Sequence, residues 1–353
     1  MSTGQQSRTS ALVRQFVATP QAGLILVILA LGLVLTLGAG SHLDQRTGLV
    51  VNNFLNRYTL IQTLTDASFF AIMAVGATVV IISGGIDLSV GSVYALAGVA
   101  MAMVLRHMGT DAPMTALLVG LAISLGIGLL AGAVNGVLVV GLGVHPFIIT
   151  LGTMWIVRGI AFVSSGAESI LVPHALTRVA KASLGLGDAL YPIPMLLMVL
   201  VAVVGAVYLT RTVGGRYVFA VGGNPEASRF SGVPINRVKM SVFVISGVTA
   251  GIAAFMGASF YGSASCADAT GYELYVIASA VVGGASLAGG KGSAISALLG
   301  AVLIVMIRQS IRTLHFDQNY EWIIIGCAII IAVVLDQASA RVAARRLAAS
   351  SRR

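Results

Sequence analysis

Charge is scarce in this sequence. Only 9% of its 353 residues are charged and 57% are hydrophobic, whereas about a quarter of the residues in a soluble globular domain are charged. The mean hydropathy is +0.97. This balance excludes a water-soluble globule and predicts an all-α, polytopic membrane protein, because helices satisfy their own backbone hydrogen bonds within lipid. No stretch between the apolar runs is long enough for a soluble domain of useful size.

Cysteine and histidine are also rare. Cys266 falls in a predicted external turn and Cys327 in the last apolar run, so their positions predict neither a disulfide nor a metal pair. The five histidines are scattered without metal-ligand spacing, and no nucleophile elbow or catalytic dyad is evident. We therefore expect no bound metal and no enzymatic activity, and an intramembrane enzyme is the least supported function.

A nucleotide site is missing as well. The stretch GGASLAGGKGS at 283–293 is similar to a phosphate-binding loop, but that loop requires glycine at position 285 and serine or threonine at position 292. This chain has Ala285 and Gly292 instead. We expect the chain to bind no nucleotide or other cofactor by itself.

Ten apolar runs are predicted to span the bilayer, each close to the 20 residues or so that a crossing needs. They are 22–40, 60–82, 90–108, 114–140, 147–164, 193–209, 241–261, 274–287, 294–311 and 320–335. The eighth run is short enough to be a broken or partly inserted helix. The organisation predicted is an N-terminal segment (1–21), a transmembrane domain (22–335) and a basic tail (336–353).

The basic residues are unevenly distributed across the predicted bilayer. The side that holds both termini contains Arg8, Arg14, Arg211, Arg216, Arg229, Arg237, Lys239, Lys291, Arg341, Arg345, Arg346, Arg352 and Arg353. The opposite loops hold far fewer. Because short cytoplasmic loops carry an excess of Lys and Arg, we expect both termini and the loop at 211–240 to be cytoplasmic.

That loop is the one strongly hydrophilic connection, and it contains signals for a short helix. Asn224 can cap the helix, Pro225 suits its first position and Glu226 favours the positive end of its dipole. Gly232 can close it and Pro234 prevents its continuation. The other residues assigned to its surface are Ala227, Arg229 and Phe230. So short a helix is unstable alone and needs a neighbouring loop or a partner surface; a solvated linker is the alternative.

The turn SGGIDLSVGS at 83–92 interrupts an apolar run. Gly84 and Gly85 free backbone groups that are tolerated at membrane depth only when they are buried in protein or face water. Asp87 either lines a substrate path or caps the next helix by accepting from the Ser89 or Val90 N–H group. Capping is favoured, because side-chain caps are common at helix starts.

An internal repeat is weakly indicated. Four residues around this turn match four around the second glycine-rich turn. The pairs are Gly84 with Gly283, Gly85 with Gly284, Leu88 with Leu287 and Gly91 with Gly290. In a glycine-rich chain, chance is the better account of four matches.

Arg158 lies near the middle of an apolar run. A central arginine costs roughly 2.5–3.5 kcal/mol on insertion scales, while each Leu, Ile or Phe returns only about 0.3–0.6 kcal/mol. The side chain should therefore face the bundle interior, where an acid such as Asp66 could pair with it. A structural ion pair and a role in transport are equally compatible with its position.

Four ordered motifs together resemble the permease subunits of ribose-type ABC importers. They are SGGIDLSVGS (83–92), PFIITLGTMWIVRGI (146–160), GRYVFAVGGNPEASRFSGVPINRVK (215–239) and GYELYVIASAVVGGASLAGGKG (271–292). The resemblance implies a subunit of about ten helices in the bacterial inner membrane that pairs with a second permease. It also implies a periplasmic binding protein that delivers a monosaccharide and a separate cytoplasmic ATPase that binds the ATP.

The resemblance also assigns residues. Gly223, Asn224, Ala227 and Gly232 match the family's cytoplasmic loop, which implies that 224–232 is the coupling helix seated in the ATPase. The matching residues at the broken span are Gly84, Gly85, Asp87, Leu88 and Ser89, and they should border the translocation path. The competing function is a self-sufficient secondary transporter or facilitator, for which Asp66 and Arg158 would matter more than the loop.

Overall fold

A computed structural model describes residues 20–43, 48–109, 112–185, 190–314, 316–327, 330–331 and 334. The basic tail predicted at 336–353 and nearly all of the N-terminal segment predicted at 1–21 lie outside the described residues. The described part is mostly helical and contains only four short strands, so the predicted helical bundle is confirmed.

The helices are numbered in chain order. They are α1 (Pro20–Gly38), α2 (Arg57–Ile82), α3 (Val90–Met108), α4 (Pro113–Leu142), α5 (Pro146–Ser165), α6 (His174–Ala180), α7 (Ile193–Arg211), α8 (Val213–Gly223), α9 (Pro225–Phe230), α10 (Ile235–Tyr261), α11 (Tyr272–Val282) and α12 (Ala294–Thr313). The strands are β1 (Ser41–Leu43), β2 (Val50–Asn52), β3 (Ile170–Leu171) and β4 (Ser263–Ala264). Residues 320–327 are also helical.

Within the described residues, eight helices are long and apolar enough to cross a membrane: α1 to α5, α7, α10 and α12. The predicted eighth span is the 11-residue α11, which confirms that this element is short. The predicted tenth span begins with the 320–327 helix, and most of its remainder lies outside the described residues. The chain is therefore a multi-pass membrane protein.

Helix α2 is the central element of the bundle. Of its most apolar 18-residue window, 94% is buried, whereas the corresponding window of α1 is only 6% buried. Helices α7, α10, α11 and α12 all pack against α2. Movement at either end of α2 must therefore be accommodated by most of the bundle, since packed interiors transmit strain.

Small residues allow α4 and α10 to cross closely. Gly128 lies against the backbone of Gly247, and Gly132 lies against that of Phe243. A Cβ atom at either glycine would clash with a carbonyl oxygen of α10. Close approach at small residues is how helices associate in lipid, where the hydrophobic effect does not drive packing between them.

We expect the Gly128→Ala variant to be less stable than the wild type by about 1–3 kcal/mol, because the added methyl group meets backbone rather than a flexible side chain. Gly126→Ala is the matched control, since nothing lies within 4 Å of that position on the same helix. Thermal unfolding in detergent measures the difference. Equal unfolding temperatures for the two variants would contradict the close crossing.

The two ends of the bundle differ. One end carries α9 and is called here the α9 end; the ends of α2 and α11 and the start of α12 meet there. The opposite end, called the far end, carries two small antiparallel sheets, β1 with β2 and β3 with β4. The glycine-rich turns thus lie at the α9 end, beside the loop that the sequence singles out.

Candidate functional site

The helix predicted at 224–232 forms as α9, Pro225–Phe230. The Asn224 side chain caps it by accepting from the Ala227 N–H group at 2.9 Å, and Pro225 occupies the first turn. Gly232 has a φ of +78° and donates its N–H group to the Arg229 carbonyl. This left-handed conformation costs glycine little, which explains how the helix can end there. The predicted caps and terminator are confirmed.

The two faces of α9 are very different. Ser228 is buried, and its hydroxyl donates to the Asn224 carbonyl at 2.8 Å, which ties the first turn together. Phe230 is 91% exposed, and Arg229 and Glu226 are exposed beside it. Whether this face docks on a partner or belongs to a solvated linker stays a prediction.

Helix α8 was not predicted. It is capped by Thr212, whose hydroxyl oxygen accepts from the Gly215 N–H group at 3.0 Å. Val218 and Val221 are fully buried in a cluster that includes residues of α2, α7 and α10. The three-residue spacing of these valines was a signal for a helix, but four glycines in the segment concealed it. Helix α9 is therefore attached to the bundle core through α8.

The junction between α8 and α9 touches both glycine-rich turns. A Cβ atom at Gly222 would clash with the Ile82 carbonyl oxygen at the end of α2. Gly289 and Gly290 of the second turn lie against the backbone of Gly222 and Gly223. The Gly290 N–H group also donates to the Ile82 carbonyl at 2.8 Å. Three chain segments thus meet backbone to backbone, and we call this contact the glycine junction (Ile82, Gly222, Gly223, Gly289 and Gly290).

The two glycine-rich turns share one geometry. After α2, the Gly84 N–H group donates to Ile81 and the Gly85 N–H group to Val80. After α11, residues exactly 200 positions later make the same two bonds: Gly284 to Val281 and Ala285 to Ala280. Gly84 and Gly284 have φ values of +82° and +91°. The turns therefore correspond structurally, with Gly84 matching Gly284 rather than the Gly283 proposed from the sequence.

Asp87 is enclosed by protein and is 3% exposed. One of its carboxylate oxygens accepts from the Ser89 N–H and hydroxyl groups at 2.9 and 2.6 Å, and the other accepts from the Ser246 hydroxyl at 2.8 Å. Asn135 donates to the Ser89 hydroxyl at 2.8 Å. The expected bond from the Ser89 N–H group is present, but Asp87 does not cap α3, because Ser89 is itself the N-cap residue and no side chain caps that helix. The network instead fastens the first turn to α4 and α10. A role for Asp87 in a substrate path stays a prediction.

The suggested pairing of Arg158 with Asp66 is wrong. The Arg158 guanidinium donates to three backbone carbonyls, those of Cys266 at 2.8 Å, Asp268 at 2.6 Å and Ala269 at 3.3 Å. These carbonyls belong to the turn between β4 and α11, which packs against Gly91 at the start of α3. Arg158 therefore faces inward, as its cost in lipid requires, and holds that turn against α5.

The same turn contains a half-buried acid. Burial raises the pKa of the Asp268 carboxyl above its ordinary value, against the lowering effects of a hydrogen bond from the Ser265 N–H group and of the Arg158 charge. These groups make a compact structural turn. The contacts of Arg158 are to backbone oxygens, so they support the structural interpretation of this residue.

Asp66 pairs elsewhere. Its carboxylate accepts from the Gln62 side chain at 2.9 Å, and its second oxygen lies 3.9 Å from the Arg312 guanidinium. Arg308, one turn before Arg312, lies 2.6 Å from the Glu321 carboxylate. Sequence analysis did not single out Arg308 or Arg312 as site residues, although two arginines four positions apart in an apolar helix were a usable signal.

The site residues therefore do not form one cluster. An exposed helix and the glycine junction lie at the α9 end, and Asp66 with its partners lies at the far end. The Asp87 network and Arg158 are neighbours, because a Cβ atom at Gly91, two residues after Ser89, would meet the Ala269 carbonyl oxygen at 2.6 Å and the Arg158 guanidinium at 3.6 Å. No group of His, Cys, Asp and Glu suited to a metal occurs among the described residues. The arrangement can transmit movement, because a surface helix is attached by backbone contacts to two turns of the bundle.

Comparison with known proteins agrees with this architecture. The family described as "Branched-chain amino acid transport system / permease component" matches residues 59–333. The ribose import permease protein of Escherichia coli K12 is 36% identical over 285 residues, covering 80% of this chain and 87% of that protein. The D-allose transport system permease protein of the same strain is 35% identical, covering 80% and 85%. The fructose import permease protein of Rhizobium meliloti is 31% identical, covering 93% and 87%.

Proposed function

Because this chain belongs to the branched-chain amino acid transport system / permease component family, we propose that it is the transmembrane permease subunit of an ATP-driven importer for a monosaccharide. A separate ATPase binds the nucleotide and drives alternating access, and this chain performs no chemistry on the substrate. An extracytoplasmic binding protein delivers the sugar, and a second permease, either a copy or a paralogue, completes the path.

One observation carries this proposal: α9 is exposed to a partner on one side and attached to the bundle through the glycine junction on the other. A short helix needs an external surface to be stable, and Phe230 gives that surface an aromatic anchor. The buried contacts of Gly222 and Ile82 then link whatever holds α9 to the central helix α2. A facilitator that works alone has no need of such an arrangement.

The surface around α9 indicates what its partner should look like. Exposed Arg229 and Arg237 and half-buried Lys239 lie close to Phe230, with Glu226 as the nearby acid. Aromatic residues and arginine are the usual hot spots of protein interfaces, and opposite charge on the partner speeds and orients docking. The ATPase should therefore present an apolar groove for Phe230 with an acidic rim.

The same contacts suggest how ATP binding moves the permease. Closure of the ATPase displaces α9, and α8 follows because the two helices are separated by Asn224 alone. Gly222 and Gly223 then shift against Ile82 and Gly290, so that α2, α11 and α12 move as packed bodies. Rigid-body motion of this kind is common in transporters that alternate their access.

The substrate class is argued from the relatives. The three relatives reported above are named for ribose, D-allose and fructose, whereas the family description names branched-chain amino acids. We propose a monosaccharide on the strength of the relatives, which cover most of this chain. The charge bias supports a cytoplasmic position for the α9 end and both termini, and we propose the inner membrane of a bacterium.

Radiolabelled uptake into proteoliposomes tests the proposal. The chain is reconstituted with its candidate ATPase and binding protein, singly and together, with and without ATP, and is offered D-ribose, D-allose, D-fructose and L-leucine. We expect sugar uptake only with all three proteins and ATP. Leucine uptake would refute the substrate class, and ATP-independent uptake by the chain alone would instead establish the facilitator alternative.

A further inference from the structure

The far end of the bundle carries charged groups in an unexpected place. Asp66 on α2 and Arg308 and Arg312 on α12 lie within helices that are apolar enough to cross a membrane. With Glu321 of the 320–327 helix and Tyr272 of α11, they form a continuous group that we call the polar face. The Arg312 side chain is 49% exposed and that of Asp66 is 23% exposed.

Lipid cannot be what covers this face. Charged side chains in transmembrane segments almost always face the bundle interior or a water-filled cavity, because exposure to hydrocarbon costs several kcal/mol on most scales. On α7, by contrast, the exposed side chains include Leu196, Leu200 and Val204, which lipid accepts. The polar face differs from that surface in chemistry, so it should border water or a second protein chain.

Aromatic rings lie between the charges. The Arg308 guanidinium lies 5.4 Å from the Phe70 ring centroid and 5.1 Å from that of Tyr275. The Tyr272 ring is 4.5 Å from Phe70, and the Tyr275 hydroxyl donates to Glu321. The rings fix Arg308 and Glu321 in place, while the half-buried ring of Tyr272 borders the charges.

This combination suits an uncharged, polyhydroxylated solute. Carboxylates accept hydrogen bonds from hydroxyl groups and guanidinium groups donate to them, and an aromatic ring offers an apolar contact for C–H groups. The negative charges of Asp66 and Glu321 balance the positive charges of Arg308 and Arg312. The polar face therefore has no net charge, which suits a neutral ligand. A branched-chain amino acid would instead need an aliphatic pocket for its side chain, and the polar face presents charges and a phenol there.

We propose that the polar face is the wall of the translocation path that contacts the monosaccharide, and that Asp66 and Arg312 are its hydroxyl-binding residues. This rests on the proposed function. The Asp66 and Arg312 contact is long, at 3.9 Å, which leaves both groups able to bond a ligand. Arg308 and Glu321, at 2.6 Å, hold each other and position the wall.

Isosteric variants test the assignment in the complete transporter. With saturating sugar-loaded binding protein, we expect Asp66→Asn and Arg312→Gln each to lower the maximal rate of sugar uptake by about tenfold or more, since each loses a charge-assisted hydrogen bond. ATP hydrolysis stimulated by the binding protein should stay within about twofold of wild type. The matched control is Arg106→Gln, an exposed arginine at the end of α3 that is not part of the polar face.

Two results would overturn the proposal. One is wild-type uptake by both variants; the other is a parallel loss of uptake and ATP hydrolysis, which indicates a structural role. Failure of wild-type protein to transport any sugar would count against the proposed function instead. The polar face is then judged by labelling alone.

The labelling experiment needs no transport. In a chain carrying Cys266→Ala and Cys327→Ala, Arg312→Cys should react with a membrane-impermeant maleimide at least about tenfold faster than Leu196→Cys on the exposed surface of α7. Addition of the transported sugar should slow that reaction. Equal labelling rates for the two positions would show that water does not reach the polar face and would refute the proposal.

Discussion

Replacing Phe230 with alanine is expected to lower ATP-dependent uptake by about 100-fold, the scale of losing a central aromatic anchor worth nearly 3 kcal/mol. Phe230 is the most exposed large hydrophobic residue described, at 91%, so the permease itself loses little when its ring is removed. The expected loss is in the docking of the ATPase. Uptake and co-purification of the ATPase from detergent should therefore fall together.

Phe147→Ala is the control for this variant. Phe147 is an exposed phenylalanine at the start of α5, outside α9, and we expect its replacement to leave both measurements close to wild type. Both proteins should elute from a sizing column as the wild type does. If Phe230→Ala keeps full uptake and still retains the ATPase, then α9 is not the coupling element.

The Gly222→Ala variant should distinguish docking of the ATPase on α9 from transmission of its movement to α2. The added methyl group would clash with the Ile82 carbonyl oxygen, and overpacking against backbone typically costs about 1–3 kcal/mol. The glycine junction must therefore open. We expect uptake to fall by about tenfold or more, while the ATPase still co-purifies because the exposed surface of α9 is unchanged.

Gly223→Ala is its neighbour and its matched control. Nothing lies within 4 Å of a Cβ atom at position 223, so this variant should transport at nearly the wild-type rate. The ratio of the two uptake rates separates the contact between Gly222 and Ile82 from any general effect of alanine on the α8 terminus. Equal rates would show that contact between α8 and Ile82 is not needed for transport.

The short helix α9 could be predicted from the sequence because its signals are local. Asn224, Pro225 and Gly232 act within a few residues of their own positions, and cap and terminator chemistry depends little on the rest of the fold. The same holds for the turn at Gly84 and for the bond from the Ser89 N–H group to Asp87. Apolar runs longer than 18 residues likewise revealed most of the spans without tertiary information.

The errors have the opposite cause, since they concern contacts between distant parts of the chain. Arg158 was expected to find an acid, but it binds carbonyls more than 100 positions away. The polar face joins α2, α11, α12 and the 320–327 helix, and no window of sequence contains these elements together. Helix α8 was overlooked because its stability comes from burial of Val218 and Val221 rather than from helix propensity.

The correspondence between the two turns shows a third limit. Residue identity favoured the alignment of Gly84 with Gly283, yet the backbone hydrogen bonds align Gly84 with Gly284. Positive φ favours glycine, and φ is positive at Gly84 and Gly284 but not at Gly283, which ends α11 in a right-handed conformation. Residue identity alone does not distinguish the glycines that a turn requires from those that packing requires.

The shared carbonyl of Ile82 has an energetic consequence. This oxygen accepts from Gly290 and abuts Gly222. If the proposed ATPase docks on α9, the arrangement of the bundle and the nucleotide affinity of the ATPase influence each other by equal factors, as any two linked binding equilibria do. If closing the ATPase favours one arrangement of the turns, then a loaded binding protein that favours the same arrangement from the far end tightens ATP binding to the same degree. ATP hydrolysis would then be fast only when a sugar-loaded binding protein is present, and slow in its absence.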